Sequence, residues 1–360
     1  MAKVGSSSCT FLGSVIKRHF DGMEGTRVTI RDVAAQAGVS RQTISRVING
    51  SDLVTHETAA RVHAVIAELG YRPNAIARSM TRGRTQILAC ISPNLTDYTF
   101  ASIVQGAESA VRAQGYFLMS TSAPDVPTFI SLVHELTGGA YVDGLVIINP
   151  FADDRYCYCP SGIPTVLVGA RPREGVADSV ALDDVAAGRM ATDHLFSFGH
   201  RRIAMITGPA AEDCTQDRSS GYRAGLCAQG IVDEPSLVIE GDWSPLSGYR
   251  AMYELLALDI PFSAVFAQND QMAIGALRAA RELGVRVPGD LSVIGVDDIP
   301  LAAHVDPPLT TVHQDFTALG AEAARLLFRS MAGNGTVAEH IRWAPELIVR
   351  ASTQRVEWLG

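Results

Sequence analysis

The chain is 360 residues long and 47% apolar, and it carries 30 Lys and Arg against 38 Asp and Glu, a net charge of −8. That length holds two or three domains, and that apolar share is ample for a buried core. No run approaches the roughly 20 apolar residues needed to cross a bilayer, and no C-x-x-C pair marks a disulfide or metal framework, so no membrane partner is expected.

Residues 1–26 show no periodicity and read as a disordered extension. Lys3 and the apolar stretch at 9–16 resemble a signal sequence faintly. However, Lys17-Arg18-His19 follow at once and no small-residue cleavage site appears. Met23 lies just before the patterned region and is a candidate initiator.

The stretch 28–80 is the most densely patterned part of the chain. Ile30, Val33, Ala34 and Ala37 recur at the three-and-four spacing that places apolar groups on one helix face. Gly38 can end that helix in the left-handed conformation, and Ser40 can accept a backbone N–H at the start of the next. That second helix, 41–48, buries Ile44 and Val47 and turns Arg41, Gln42, Ser45 and Arg46 outward. Such a polar face fits a DNA major groove, where Arg pairs well with guanine and Gln with adenine. The bland alternative is a small helical domain with a solvated outer face. A third amphipathic helix, 56–69, presents Ala59, Val62, Val65, Ile66 and Leu69 inward and ends at Gly70.

The run Thr29, Asp32-Val33-Ala34, Ala37-Gly38-Val39-Ser40, Thr43, Ser45-Arg46-Val47, Asn49, Gly70-Tyr71 and Pro73-Asn74 resembles the LacI-type (lactose-repressor) family of bacterial transcription regulators. The resemblance implies that residues 27–73 form a helix-turn-helix DNA-binding domain. It implies DNA contacts by Thr29, Ser40, Arg41, Gln42, Thr43, Ser45, Arg46, Asn49 and Asn74. It also makes 74–85 a hinge helix and linker, which in the family folds beside its dimer mate on DNA and wedges an apolar residue, usually leucine, into the minor groove. Here that position is Met80, and methionine is also a known wedge. A plain linker with one helical turn is the alternative. Charge agrees with the DNA reading: residues 1–84 hold 12 Lys and Arg against 6 acids, and the rest hold 18 against 32.

Beyond residue 85, apolar runs at 87–91, 116–119, 144–148 and 165–168 alternate with helical stretches at 103–114 and 129–136. A second series comes after them, with strands at 202–206, 263–267 and 291–295 and helices near 222–228, 247–258 and 271–283. This alternation predicts an α/β body with parallel sheets covered on both faces. The family resemblance continues through His194-Leu195, Gly199-His200-Arg201-Arg202-Ile203, Arg218-x-x-Gly221-Tyr222, Gly241-Asp242-Trp243-Ser244, Asn269-Asp270 and 292–298. It implies that residues 86–353 form a two-lobed, periplasmic-binding-protein-like effector and dimerisation domain, with 354–360 as a tail. Crossings between the lobes are expected near Asp183, His313 and 338–342.

A sugar needs donors and acceptors for its hydroxyls and an aromatic wall for its C–H faces. Arg218, Asn269, Asp297 and Trp243 supply these and match the family's ligand positions. A salt bridge of Arg218 to Asp217 or a nearby acid, and core packing of Trp243, are the structural alternatives. Tyr98, Thr99 and Phe100, in the loop expected after the first strand, and Gln314 and Phe316, past the second crossing, complete the candidate pocket. Asp298 is read as structural. Cys157 and Cys159 lack a nearby His at metal-ligand spacing and read as free thiols.

No dinucleotide fingerprint, phosphate loop, nucleophile elbow or H-E-x-x-H pair appears, so no enzyme and no cofactor are expected. The expectation is a cytoplasmic, homodimeric regulator, a repressor, that binds a near-palindromic double-stranded operator and responds to a sugar effector. The alternative is a sugar-binding protein of the periplasmic type, which shares the effector fold without the DNA-binding head.

Overall fold

The computed structural model describes residues 28–48, 50–71, 84–139, 141–153, 155–169, 171, 177–333 and 337–356. The extension 1–26, the expected hinge helix 74–80, and with them Asn49, Asn74 and Met80, lie outside these residues. The chain divides into two units, one running to Gly83 and the other from Arg84.

In the first unit, α1 (Ile30–Ala37), α2 (Arg41–Ile48) and α3 (His56–Leu69) enclose Val33, Ala34, Ala37, Ile44, Val47, Val62 and Val65. Ile30, Ala59, Ile66 and Leu69 pack around that centre, partly buried. Asp32 accepts from both the backbone N–H and the hydroxyl of Thr29 at 2.8 Å, which fixes the start of α1. Gly38 (φ 66°) and Gly70 (φ 61°) end α1 and α3 in the left-handed region. Burial, rather than intrinsic propensity, holds helices this short.

The second unit contains two six-stranded sheets. Along the chain run β1 (Ile87–Ser92), α4 (Tyr98–Ala113), β2 (Phe117–Ser122), α5 (Val126–Gly138), β3 (Gly144–Ile148), β4 (Thr165–Val168) and β5 (Asp178–Leu182). Then come α6 (Asp184–Ser197), β6 (Ile203–Thr207), α7 (Asp213–Ala228), β7 (Val238–Glu240), α8 (Pro245–Ala257), β8 (Ala264–Ala267), α9 (Asp270–Glu282), β9 (Ser292–Asp297) and β10 (Thr310–His313). Last are α10 (Phe316–Met331), β11 (His340–Trp343) and β12 (Glu346–Ile348). The sheets have the orders β11-β5-β4-β3-β1-β2 and β12-β10-β9-β8-β6-β7, and only the β10–β12 pair is antiparallel. Central strands such as β3, β6 and β9 are buried throughout, which is why they read as unbroken apolar runs.

The strand order fixes the crossings. The chain leaves the first sheet after β5 and enters the second lobe at Asp183, which caps α6. It returns between β10 and α10, at Gln314 and Asp315, one residue beyond the expected His313. The third crossing is at Ala344-Pro345, between β11 and β12, and not at 338–342. Residues 340–342 instead extend the first sheet as β11, paired in parallel with β5. Thr85 also departs from the linker expected at 74–85. Its N–H and hydroxyl both donate to Asp143, at 2.8 and 3.0 Å, which ties it to the second unit.

Helices pair through glycine at the points that matter for the site. A Cβ on Gly188 of α6 would strike the backbone of Arg218, and one on Gly221 of α7 would strike the Val185 carbonyl. The two helices therefore touch backbone to backbone, and this contact sets the depth at which Arg218 enters the second lobe.

Candidate functional site

In the first unit, the outer face of α2 carries Arg41, Gln42 and Arg46, all exposed, and Ser45, half-buried, opposite the buried Ile44 and Val47. The hydroxyl of Ser40 accepts from the Thr43 N–H at 3.1 Å and shares a 2.9 Å bond with the Thr43 hydroxyl, so these two residues build the start of the helix. Thr29 is exposed beside Asp32. The three long side chains lie within two turns of one helix, the reach needed to span adjacent base edges in a major groove.

In the second unit, a cavity of about 400 Å³ lies between the two lobes. From the first lobe it is lined by Asp97, Thr99 and Phe100 at the start of α4, Phe151, and Phe316 and Leu319 of α10. From the second lobe come Glu212, Cys214, Arg218, Asp242, Trp243, Asn269 and Asp297, joined by Asp184 and Gln314 near the crossings. Most of these follow the C-terminal ends of parallel strands, where an α/β sheet leaves backbone and side chains unpaired for a ligand.

Arg218 is the hub. It is 5% exposed; its Nε meets Asp184 Oδ1 at 2.8 Å, and its Nη2 reaches Gln314 Oε1 at 3.0 Å and Asp297 Oδ1 at 3.6 Å. Its Nη1 donates to the Gln268 carbonyl. Burial opposes the guanidinium charge, but Asp184 and Asp297 outweigh it and hold the pKa above its ordinary value. The neighbouring Asp217 takes no part; it pairs with Arg171 at 2.5 Å. Burial pushes the Asp297 carboxyl well above its usual range, and Arg218 pulls it back.

Asp297 and Asp298, at the end of β9, both have positive φ (112° and 57°). This turn sends Asp297 to the cavity, while Asp298 pairs with Arg350 at 2.6 Å and His313 at 3.1 Å, a structural role. Trp243 also has positive φ (69°), a conformation that costs of order 1–3 kcal/mol and gathers at ligand sites. Its indole packs onto Gly208, donates to Glu212 Oε2 at 2.9 Å and lies 5.8 Å from the Arg218 guanidinium. Trp243 thus serves the wall of the cavity and the margin of the core together. Asn269 caps α9 by accepting from Met272 at 2.8 Å and donates to the Trp243 carbonyl at 3.1 Å. One further lone pair and one further amide hydrogen remain on it.

One candidate is displaced. Tyr98 is not in a loop and does not line the cavity; it is the first residue of α4 and is 39% exposed. Asp97 caps that helix by accepting from Thr99 N at 2.9 Å, so Thr99 and Phe100, rather than Tyr98, belong to the lining. Asp97, Asp184, Glu212, Cys214 and Asp242 are lining residues that the sequence reading missed. Position marks two of them, Asp242 just past β7 and Asp184 at the first crossing, whereas Asp97, Glu212 and Cys214 lie five or more residues beyond a strand and carry no such signal. Asn149, just after β3, is fully buried, and its Nδ2 has no hydrogen-bond partner among the described residues. Cys157 is exposed and Cys159 half-buried, and among the described residues no three His, Cys, Asp or Glu gather as a metal site. No helix among the described residues is long and apolar enough to cross a membrane.

Comparison with known proteins meets this geometry at both sites. Residues 29–74 match the bacterial regulatory proteins of the lacI family, and residues 192–353 match the periplasmic binding protein-like domain. The HTH-type transcriptional regulator CelR of Thermobifida fusca is 38% identical over 341 residues, covering 91% of this chain and 98% of its own. A solved complex of the transcriptional regulator CelR with cellobiose superposes with a TM-score of 0.70 at 37% identity, over 91% of this chain and all of the other. The lac repressor dimer bound to operator and the anti-inducer ONPF superposes with a TM-score of 0.85 at 30% identity, again over 91% and 100%. With an exposed polar helix in its first unit and a two-lobed cavity in its second, the chain belongs to the LacI family, the ligand-responsive DNA-binding regulators of bacterial transcription.

Proposed function

We propose that this protein is a cytoplasmic repressor that binds a near-palindromic operator as a homodimer, and that a small sugar in the interlobe cavity modulates that binding. The observation that carries the ligand half is the convergence of Arg218, Asn269, Asp297 and Gln314 with the rings of Phe100, Trp243 and Phe316 on one cavity. Fixed donors and acceptors suit hydroxyls, and the rings suit C–H faces. The cavity volume accommodates a disaccharide, and the cellobiose complex of the similar CelR supports that size. The sugar leaves unchanged and no cofactor takes part.

On the DNA side, Arg41, Gln42 and Arg46 read base edges and phosphates. Thr29, Ser40, Thr43, Ser45, Asn49 and Asn74 position the helix, and Met80 wedges the minor groove. Two-fold pairing of such heads matches a near-palindromic site. The sugar shifts operator affinity by the difference in its affinity for two lobe arrangements, typically about 1–3 kcal/mol of coupling.

The test is operator selection from genomic fragments, followed by anisotropy titration with cellobiose and a panel of mono- and disaccharides. Specific DNA binding that one saccharide alters, with the response abolished in Asp297→Ala and unliganded affinity retained, is the expected result. Absence of sequence-specific binding, or an Asp297→Ala protein that responds like the wild type, overturns the reading.

A further inference from the structure

The described residues lining the cavity are unevenly charged: Asp97, Asp184, Glu212, Asp242 and Asp297 stand against Arg218 alone. That guanidinium is already engaged within the protein by Asp184, Gln314, Asp297 and the Gln268 carbonyl. A phosphate or carboxylate on a ligand requires cationic or N–H donors and would here meet carboxylates instead.

Glu212 is the most exposed to this conflict. The residue is only 9% solvent-accessible and forms no ion pair with any described residue. Its Oε2 accepts from Trp243 Nε1 at 2.9 Å and from the Cys214 thiol at 3.8 Å, while no described residue bonds its Oε1. Burial raises its pKa, as expected for a carboxylate short of partners. The other acids are better provided for: Asp184 and Asp297 share Arg218, Asp97 accepts from Thr99 and Gln271, and Asp242 is exposed to solvent. A ligand hydroxyl would complete the Glu212 carboxylate without adding charge.

We infer that Glu212 is a specificity-determining residue of the cavity, accepting a hydroxyl from an uncharged saccharide and turning away phosphorylated sugars. This rests on the sugar reading above and narrows it to neutral sugars.

The test is calorimetric titration of the full chain at about pH 8, with glucose, lactose, maltose and cellobiose, each beside its 6-phosphate. At least one neutral sugar should bind about tenfold or more tighter than its phosphate, a difference of about 1.4 kcal/mol. Glu212→Gln keeps an acceptor for Trp243 but removes the charge, and should narrow that gap severalfold. Glu212→Asp keeps the charge and should preserve the gap, which guards against a merely misfolded Gln variant. Asp242→Asn removes a lining carboxylate at a solvent-screened position and should narrow the gap less than Glu212→Gln does. A phosphate that binds tighter than its neutral sugar overturns the inference but leaves the sugar reading standing. So does a gap that Glu212→Gln leaves intact or Asp242→Asn narrows equally. If no compound in either series binds, the sugar reading itself fails and the inference falls with it.

Discussion

Arg171, after β4 of the first lobe, closes an ion pair at 2.5 Å with Asp217 on α7 of the second lobe, the residue next to Arg218. Its Nη1 also reaches Asp213 at 3.5 Å and Gln216 Oε1 at 3.1 Å. Beside it, backbone bonds from Ala152 to Ala211 and from Asp213 to Pro150 join the same two edges. Asp97 and Gln271 make a further contact between the lobes, at 3.3 Å. Lobe closure is therefore held by polar contacts that water can replace when the lobes part.

Arg171→Ala should shift the lobes toward the open arrangement. The guanidinium is 35% exposed, so the loss is modest, about 0.5–1 kcal/mol after screening. Small-angle scattering of the ligand-free protein should show a larger radius, and ligand affinity should fall by a few-fold. Unaltered scattering and affinity would mean that the backbone bonds alone hold the edge.

Gln42→Ala should change base preference within one half-site and cost about 1–3 kcal/mol at the base it reads. Arg46→Ala should lower affinity and reduce the salt dependence of operator binding. Selection of binding sites with each variant separates the two effects. Wild-type selectivity in both would remove α2 from the groove.

Gly188→Ala inserts a methyl group against the Arg218 backbone, and overpacking of this kind costs about 1–3 kcal/mol. Because the displaced residue is the hub of the cavity, ligand affinity should fall more than thermal stability does. Calorimetry beside a melting curve makes the comparison. Equal losses in both would show that α6 and α7 shift without moving the guanidinium.

His194 and His200 anchor the C-terminal segment. His194 Nε2 pairs with Thr353 Oγ1 at 2.9 Å, and His200 bonds Ser263, Ser292 and the Gln354 carbonyl. Burial lowers both pKa values from 6.5. The unfolded chain then binds protons that the folded chain refuses, so this stability is complete above about pH 6.5 and falls as pH drops below it. His200→Gln should flatten the dependence of Tm on pH in that interval. A slope identical to the wild type would place the titration elsewhere.

The sequence by itself determined the elements whose residues carry their own signal. In the first unit, Gly38 and Gly70 end helices because only a residue without a Cβ adopts positive φ freely, and the spacing of Val33, Ile44 and Val62 names the inner faces. In the second, buried parallel strands such as β3 and β6 read as apolar runs because both faces are covered. The motifs also placed Arg218, Trp243, Asn269 and Asp297 in one candidate pocket, position past the second crossing added Gln314 and Phe316, and all six line the cavity.

Only the tertiary structure decided the rest. The strands β5, β7, β10, β11 and β12 are short or partly polar, and their pairing comes from partners distant in the chain. The helix α6 is too rich in small buried residues to show one apolar face, although α10 carries a legible stripe in Phe316, Leu319, Ala323 and Leu327. Tyr98 and Phe100 look equivalent in sequence until Asp97 starts a helix that turns the tyrosine outward. Glu212 became visible only when folding set its carboxylate under the Trp243 indole, because a cavity's charge is a property of residues brought together from many parts of the chain.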